Sequence, residues 1–195
     1  MSPDRARSEP RIAPAQELSP EDEELLTKTL AGPDGVPLRI FATLAHHPAL
    51  LKRFNVLGGL LLTKGLLPPR ERELVILRTG WRSGSVYEFG QHVLIGQREG
   101  VSDREIRLLT RPLEAGEWSE RERALLAFTD ELLATASVGD GTWEAAHRHL
   151  GEPEMLELVL LIGFYRMVAG LLNAAGVVPE PWLPGWPEGM DGEGV

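Results

Sequence analysis

The chain has 195 residues, a formal net charge of -9 at pH 7 and no cysteine. This length fits one domain with extensions, and the negative charge argues against nucleic acid or an anionic membrane surface as a partner. The absence of cysteine excludes disulfides, thiolate metal sites and cysteine nucleophiles. No apolar run approaches the roughly 20 residues that span a bilayer, and the basic N-terminus lacks the apolar segment of a secretory signal. We therefore expect a cytoplasmic protein without a membrane partner.

The first third of the chain carries helix and turn signals. Residues 1–18 are polar and contain prolines, which predicts a flexible N-terminal arm. A serine, a proline and three acids follow each other at 19–23, which is typical of a helix start. The Asp-Gly pair at 34–35 predicts a turn. Two apolar segments, 37–45 and 48–65, then predict two further helices.

The middle of the chain predicts two helices joined by a short polar turn. Two prolines at 68–69 and a charged first turn start the first helix, which ends near Trp81 and Gly84. The second helix begins at Ser85, presents one apolar stripe and is closed by Gly100. The short connection allows the two helices to fold back on each other.

The second half continues with capped helices and ends in a tail rich in proline and tryptophan. Capping boxes at 102–105 and 119–122 predict two helix starts. The segment 155–175 is apolar nearly all round, which predicts a helix buried in the core or at a subunit contact. The tail, 179–195, is too apolar to extend into solvent, so we expect it on its own subunit or on a neighbour. Strand signals are weak throughout, so we predict an all-α, homo-oligomeric protein whose main domain spans 19–178.

Three side chains in the two central helices form a candidate acid/base group. Glu88 and His92 are four residues apart, so on a helix they share one face and can meet. Glu73, on the preceding helix, reaches the same point if the helices fold back on each other. The three together also supply the ligand set of a metal triad, which remains an alternative. We expect no metal and no other cofactor.

Each of the three residues also has a structural interpretation. Glu88 stands at the third position of a capping box that begins at Ser85, and this role needs no catalysis. His92 adjoins the apolar stripe, where a lone histidine is often a hydrogen-bonded core residue. Glu73 can stabilise the start of its helix through its charge.

Three blocks of this region resemble a known family. They read RERELVILRTG at 70–80, YEFGQH at 87–92 and EGVSDREI at 99–106. These blocks are similar to the carboxymuconolactone decarboxylase family, which includes the alkylhydroperoxidase D peroxidases, and the resemblance extends more loosely over 44–178. It implies an alkylhydroperoxidase D-like helical bundle. It does not by itself imply one reaction, because the family carries different chemistries on one fold.

The peroxidase branch of the family carries two cysteines at the positions that match Ser85 and Glu88 here. The glutamate on its preceding helix and its histidine correspond to Glu73 and His92. Peroxide reduction requires a thiolate that attacks the peroxide oxygen. Since both thiols are replaced in this chain, the resemblance does not imply a cysteine-dependent peroxidase.

The decarboxylase branch is similar to this chain in having a glutamate four residues before the histidine. It implies a cofactor-free acid/base lyase or isomerase for a small carboxylated lactone or ring compound, with His92 as acid/base, Glu88 as its orienting partner and Glu73 as a proton relay. The substrate-binding candidates are Arg78, Trp81, Arg82, Ser85 and Tyr87. The arginines suit a substrate carboxylate, and the aromatic residues suit a pocket wall or plain packing. The alternatives are a non-catalytic helical oligomer that binds a ligand and, disfavoured by the missing thiols, a peroxidase.

Overall fold

A computed structural model describes residues 9–189 of the chain. Within these residues it contains nine α-helices, one short 3-10 helix at Leu113–Ala115 and one isolated bridge between Ala31 and Pro37. The helices are α1 (Pro20–Thr27), α2 (Arg39–Leu44), α3 (Pro48–Thr63), α4 (Pro69–Arg82), α5 (Val86–Arg98), α6 (Asp103–Leu108), α7 (Glu120–Thr135), α8 (Asp140–His147) and α9 (Glu152–Ala175). The prediction of an all-α fold is confirmed.

Local sequence explains where the helices begin. Prolines occupy the first turn of α1, α3, α4 and α9. An amide hydrogen at that position has no acceptor within the helix, so proline costs no hydrogen bond there. Both predicted capping boxes form: Ser102 and Glu105 bond reciprocally at the start of α6, and Ser119 and Glu122 do so at the start of α7. Gly35 has a φ of 77°, as the predicted turn requires.

The helix α4 is the central helix, although α9 is the more apolar of the two. Ten consecutive residues of α4, 72–81, are buried, and α4 packs against α5, α7 and α9. Its charged side chains are tolerated in the interior because they are paired: Arg72 with Glu73, and Arg78 with Asp130 of α7. Charge pairing, together with the buried apolar run 74–77, therefore allows α4 to occupy the centre.

The helix α9 is 24 residues long, with a mean hydropathy of 1.9 in its most apolar window, and by length and composition alone it could cross a membrane. We expected from the sequence that no apolar run approaches the length of a membrane span. Helix α9 corrects that expectation, because its few charged residues do not offset the leucines around them. Half of that apolar segment is buried inside the bundle. The core helix of a helical bundle can have the same length and apolar composition as a membrane span. The opposite face exposes Leu156, Leu160 and Met167.

The N-terminal residues of the described part lie on the bundle. The backbone amides of Arg11 and Ile12 donate hydrogen bonds of 2.9 and 3.1 Å to the carbonyl oxygen of Ala175, at the end of α9. The predicted flexible arm, 1–18, is therefore attached to the body at these positions. Residues 1–8 are outside the described part of the chain.

The C-terminal tail folds back over the turn between α4 and α5. The ring of Trp186 lies with its centroid 5.0 Å from those of Trp81 and Phe89. A backbone carbonyl of the tail lies so close to Gly90 that no side chain would fit there. Up to residue 189, the tail thus lies on its own chain. This is one of the two positions that the sequence predicts, the other being a neighbouring subunit.

Candidate active site

The helices α4 and α5 form an antiparallel hairpin that brings the predicted acid/base residues together. Its turn contains Gly84, which has a φ of 60°. Two glycines let the helices approach closely: a side chain at Gly80 would meet the backbone nitrogen of Phe89 at 3.3 Å, and one at Gly96 would lie 3.6 Å from Cβ of Glu73. The close approach at Gly96 places Glu73 next to the face of α5 that carries the histidine.

His92 and Glu73 form a buried pair across this hairpin. His92 Nδ1 lies 2.7 Å from Glu73 Oε2, and the side chains are 8% and 0% exposed. Arg72 Nε donates a hydrogen bond of 2.8 Å to Glu73 Oε1. Burial raises the pKa of Glu73, but the charges and hydrogen bonds of His92 and Arg72 outweigh it and hold that pKa below its ordinary value. Glu73 is therefore a carboxylate, which only accepts hydrogen bonds, so His92 Nδ1 carries the proton.

The other ring nitrogen of His92 is available for proton transfer. Within residues 9–189, Nε2 makes no hydrogen bond. With Nδ1 held by Glu73, Nε2 can accept a proton and return it, while the carboxylate stabilises the imidazolium that forms in between. The pair has the arrangement that a general acid/base needs: an oriented imidazole with one nitrogen free.

Glu88 does not hold His92, contrary to the expectation from sequence. Its side chain is 2% exposed, and neither carboxyl oxygen has a hydrogen-bond partner within the described residues. Burial raises the pKa of Glu88 well above its ordinary value. The orienting role predicted for Glu88 belongs to Glu73, because Nδ1 of His92 points across the hairpin to α4 and not along α5.

The capping interpretation of Glu88 also fails. Ser85 is the N-cap residue of α5, but its side chain makes no capping hydrogen bond, and its hydroxyl has no partner among residues 9–189. An unpaired buried polar group typically costs about 1–3 kcal/mol. Two such groups one helical turn apart indicate a place where a ligand or solvent supplies the missing bonds.

Tyr165 of α9 joins this group and was not among the predicted residues. Its ring packs edge-to-face on His92 with centroids 4.9 Å apart. Burial, and then the negative charge of Glu73, raise the pKa of Tyr165 well above its ordinary value, so its hydroxyl keeps its proton and can donate. In the sequence, Tyr165 stands out only because it is one of two tyrosines and lies in an apolar segment. That signal is ambiguous, because buried tyrosines are common in cores.

The geometry does not support the alternative of a metal triad. In the part of the chain that the structure describes, no three His, Cys, Asp or Glu side chains are grouped so that they could hold a metal ion. His92 and Glu73 use their facing atoms for each other. Glu88 bonds to neither of them.

The two arginines predicted to hold a substrate carboxylate lie against α7. Arg78 Nε and Nη2 donate hydrogen bonds of 2.8 and 2.6 Å to Asp130, and Nη1 donates to the carbonyl oxygens of Leu109 and Arg111. Arg82 lies 3.4 Å from the same aspartate. Arg78 follows Glu73 by five residues, which places it about 140° away around the helix. It therefore ties α4 to α7, away from the His92 side of the hairpin.

Tyr87 and Trp81 hold neighbouring segments in place. Tyr87 donates a hydrogen bond of 2.9 Å to Glu180 of the tail and accepts one of 3.3 Å from the backbone amide of Ile40. Trp81 packs on Trp186. Both aromatic residues thus connect the hairpin to the tail, which is the packing role that the sequence left open.

The sequence comparison identifies the family of the segment that contains the site. Residues 48–131, which include Glu73, Glu88 and His92, match the model of the carboxymuconolactone decarboxylase family. No curated protein sequence matches the chain significantly.

Several solved structures share the fold at low sequence identity. The core of an alkylhydroperoxidase AhpD, an uncharacterized peroxidase-related protein from Ralstonia eutropha JMP134, has a TM-score of 0.77 at 20% identity over 90% of this chain and 95% of that chain. An uncharacterized peroxidase-related protein from Silicibacter sp. TM1040 has a TM-score of 0.75 at 16% identity over 90% and 92%. The debrominase Bmp8, as a cysteine-to-alanine variant in complex with 2,3,4-tribromopyrrole, has a TM-score of 0.73 at 18% identity over 87% and 91%.

At these identities the solved structures establish the fold, and the sequence match establishes the family of its central segment. The helices that carry the acid/base group, α4 and α5, lie inside that segment. Residues 48–131 therefore belong to the carboxymuconolactone decarboxylase family, and the chain as a whole has the alkylhydroperoxidase D-like helical fold.

Proposed function

We propose that the protein is a cofactor-free acid/base lyase or isomerase that acts on a small carboxylated lactone or related ring compound. The observation that carries this proposal is the buried 2.7 Å hydrogen bond between His92 Nδ1 and Glu73 Oε2, which leaves Nε2 free. A histidine held in this way can move a proton at neutral pH. No metal or organic cofactor is required for such a step.

In a decarboxylation, the bond between the ring carbon and the carboxylate breaks, and carbon dioxide leaves. The electron pair moves into the conjugated carbonyl of the lactone and forms a dienolate. The imidazolium of His92 gives its Nε2 proton to the far carbon of that dienolate and regains a proton from water. Glu73 stabilises the imidazolium, and the neutral carboxyl of Glu88 supplies an O–H that can donate to the dienolate oxygen.

The similar structures give limited support for the substrate class. A debrominase of the same fold was solved with 2,3,4-tribromopyrrole, a small planar ring. Two similar structures are called peroxidase-related. A thiol peroxidase is disfavoured for this chain because it contains no cysteine to form the thiolate.

Turnover of a panel of carboxylated lactones, followed by proton NMR of the products, tests the proposal. We expect one or more lactones to lose carbon dioxide or to isomerise with the wild-type protein and not with His92→Ala. Failure of both His92→Ala and Glu88→Gln to change turnover or ligand binding would reject the assignment. Binding without any turnover would favour the alternative of a non-catalytic ligand-binding protein.

We also propose that the protein acts as a cytoplasmic homo-oligomer. The exposed face of α9 carries Leu156, Leu160 and Met167, which fall at helical spacing on one side. A contiguous exposed apolar stripe favours association. Size-exclusion chromatography with light scattering should give an oligomer, and Leu160→Glu should dissociate it. Val36→Glu, at an exposed position outside α9, is the matched control and should leave the mass unchanged.

A further inference from the structure

The face of α9 that points away from the bundle carries a regular repeat of exposed positions. They follow each other in alternating steps of four and three residues, the spacing at which two paired helices interlock their side chains. Three of them hold large apolar side chains that are more than half exposed, and the other three hold glycine or alanine. We call this repeat the α9 seam, and its members are Leu156, Leu160, Gly163, Met167, Gly170 and Ala174. Such a repeat predicts a contact with a second helix.

Gly163 and Gly170 have no packing role within their own chain. Glycine in the interior of a helix is destabilising relative to alanine. A Cβ at either position would meet no atom within 4 Å among residues 9–189, so no neighbour in the same chain requires a glycine there. Close approach of another helix does require small residues, because they let the two backbones come nearer to each other. The two glycines therefore indicate the side from which a second helix approaches.

The order of large and small residues in the α9 seam is self-complementary. When the helix lies antiparallel on a second copy of itself, with residue 165 at the centre, every large side chain faces a small residue. The facing pairs are Leu156 with Ala174, Leu160 with Gly170 and Met167 with Gly163. A two-fold interface makes each of these contacts twice. A parallel pair in register would instead set glycine against glycine and leave gaps in the packing.

Opposite charges meet at the ends of the same antiparallel arrangement. Glu152, in the first turn of α9, precedes Gly170 by about five full turns and so lies on the seam side. At the other end, Arg11 Nη1 donates a hydrogen bond of 2.9 Å to the carbonyl oxygen of Ala174. Antiparallel pairing brings Glu152 of one copy to within about one helical turn of Ala174 of the other, next to Arg11. The contact is therefore complementary in charge although the chain carries a net charge of -9.

We propose that two copies of the chain pair through the α9 seam, antiparallel and about a two-fold axis at the level of residue 165. This inference rests on the homo-oligomer proposed above and adds the surface, the direction and the register of the contact. The inner face of the same helix packs on His92 through Tyr165. The pairing thus covers the outer side of a helix that bounds the acid/base group.

Disulfide cross-linking tests the register, because the chain contains no cysteine of its own. Leu156→Cys and Ala174→Cys are made as two separate proteins, both at exposed positions, and thermal unfolding establishes that each is folded. The two are mixed, left to exchange subunits and oxidised with diamide, and the covalent dimer is measured on a non-reducing gel. The matched control is a mixture of Ala174→Cys with Val36→Cys, at an exposed position outside α9.

We expect the mixture of Leu156→Cys and Ala174→Cys to give about tenfold more covalent dimer than either variant alone or the control mixture, because only facing positions come within bridging distance. Parallel pairing would cross-link each variant with itself. Cross-linking of either variant alone, or no excess over the control, would overturn this pairing. An oligomeric wild type in light scattering would then leave the homo-oligomer proposal standing, whereas a monomeric wild type would reject both.

An exchange of large and small residues gives an independent measurement of the register. Gly170→Leu should raise the dissociation constant of the dimer by about tenfold or more, because the added side chain meets Leu160 of the other copy. Adding Leu160→Ala should restore much of the affinity, whereas adding Met167→Ala, which faces another position, should not. Analytical ultracentrifugation measures the three variants. An unchanged dissociation constant in Gly170→Leu, or equal restoration by Met167→Ala, would contradict the register.

Discussion

His92 Nδ1 bonds to Glu73 Oε2 on the neighbouring helix, 2.7 Å away, although Glu88 stands one turn before His92 on its own helix. This relationship divides the two glutamates by charge. Glu73 is ionised, because His92 and Arg72 stabilise its negative charge, whereas Glu88 is buried without a partner and keeps its proton. One glutamate therefore supports an imidazolium, and the other offers a hydrogen-bond donor.

Glu73→Gln should reduce turnover of an accepted lactone by about 100-fold or more, because the neutral amide no longer stabilises the imidazolium of His92. Steady-state kinetics should place the loss mainly in kcat. The matched control is Glu71→Gln, two residues earlier in α4, where the carboxylate pairs with Arg121 at 2.9 Å. Equal losses in both variants would contradict a specific role for Glu73.

Glu88→Gln should change how stability depends on pH. Burial raises the pKa of Glu88 in the folded protein well above 4.5, so the folded state binds more protons than the unfolded state between that value and the raised one. The unfolding free energy contributed by Glu88 therefore falls as pH rises through this window. Thermal unfolding should show a smaller loss of Tm towards alkaline pH in Glu88→Gln than in the wild type. A Tm lowered equally at every pH would instead indicate a lost helix cap.

Glu73→Gln should have the opposite pH signature. The pKa of Glu73 lies below 4.5 in the folded protein, so its stabilising contribution is fully present above 4.5 and is lost as pH falls through the folded value. At neutral pH the variant should be destabilised by about 3 kcal/mol, because Arg72 loses its buried partner. The difference from wild type should shrink in acid. Urea unfolding at several pH values measures this, and a difference that is constant with pH would contradict it.

Arg78→Met should destabilise the fold by about 3 kcal/mol, since two carbonyl oxygens lose their donor and Asp130 keeps only the longer pair of 3.4 Å with Arg82. The matched control is Arg104→Met, where an exposed pair with Glu117 is lost and stability should change little. Urea unfolding compares the two. A folded and stable Arg78→Met protein with weakened carboxylate binding would restore the substrate-binding role that the sequence suggested for Arg78.

Much of the fold could be predicted from local sequence. The capping boxes at 102–105 and 119–122 and the prolines at 20 and 68–69 gave helix starts that the structure confirms. These signals act within one turn of backbone, so they do not depend on the rest of the chain. The family pattern around Glu73 and His92 also indicated the correct hairpin. The sequence could not show that α4, and not α9, is the central helix, because the burial of α4 depends on ion pairs between residues far apart in the chain.

The sequence by itself determined the all-α class, the hairpin and the three candidate side chains Glu73, Glu88 and His92, two of which face each other across it. Only the tertiary structure decided that Glu73 and not Glu88 bonds to His92, that Arg78 turns to Asp130, and that Tyr165 covers the imidazole. The physical reason is that spacing along a helix fixes a residue's angle around its own axis. Which partner it meets depends on how closely two helices approach, and here that distance is set by Gly80 and Gly96.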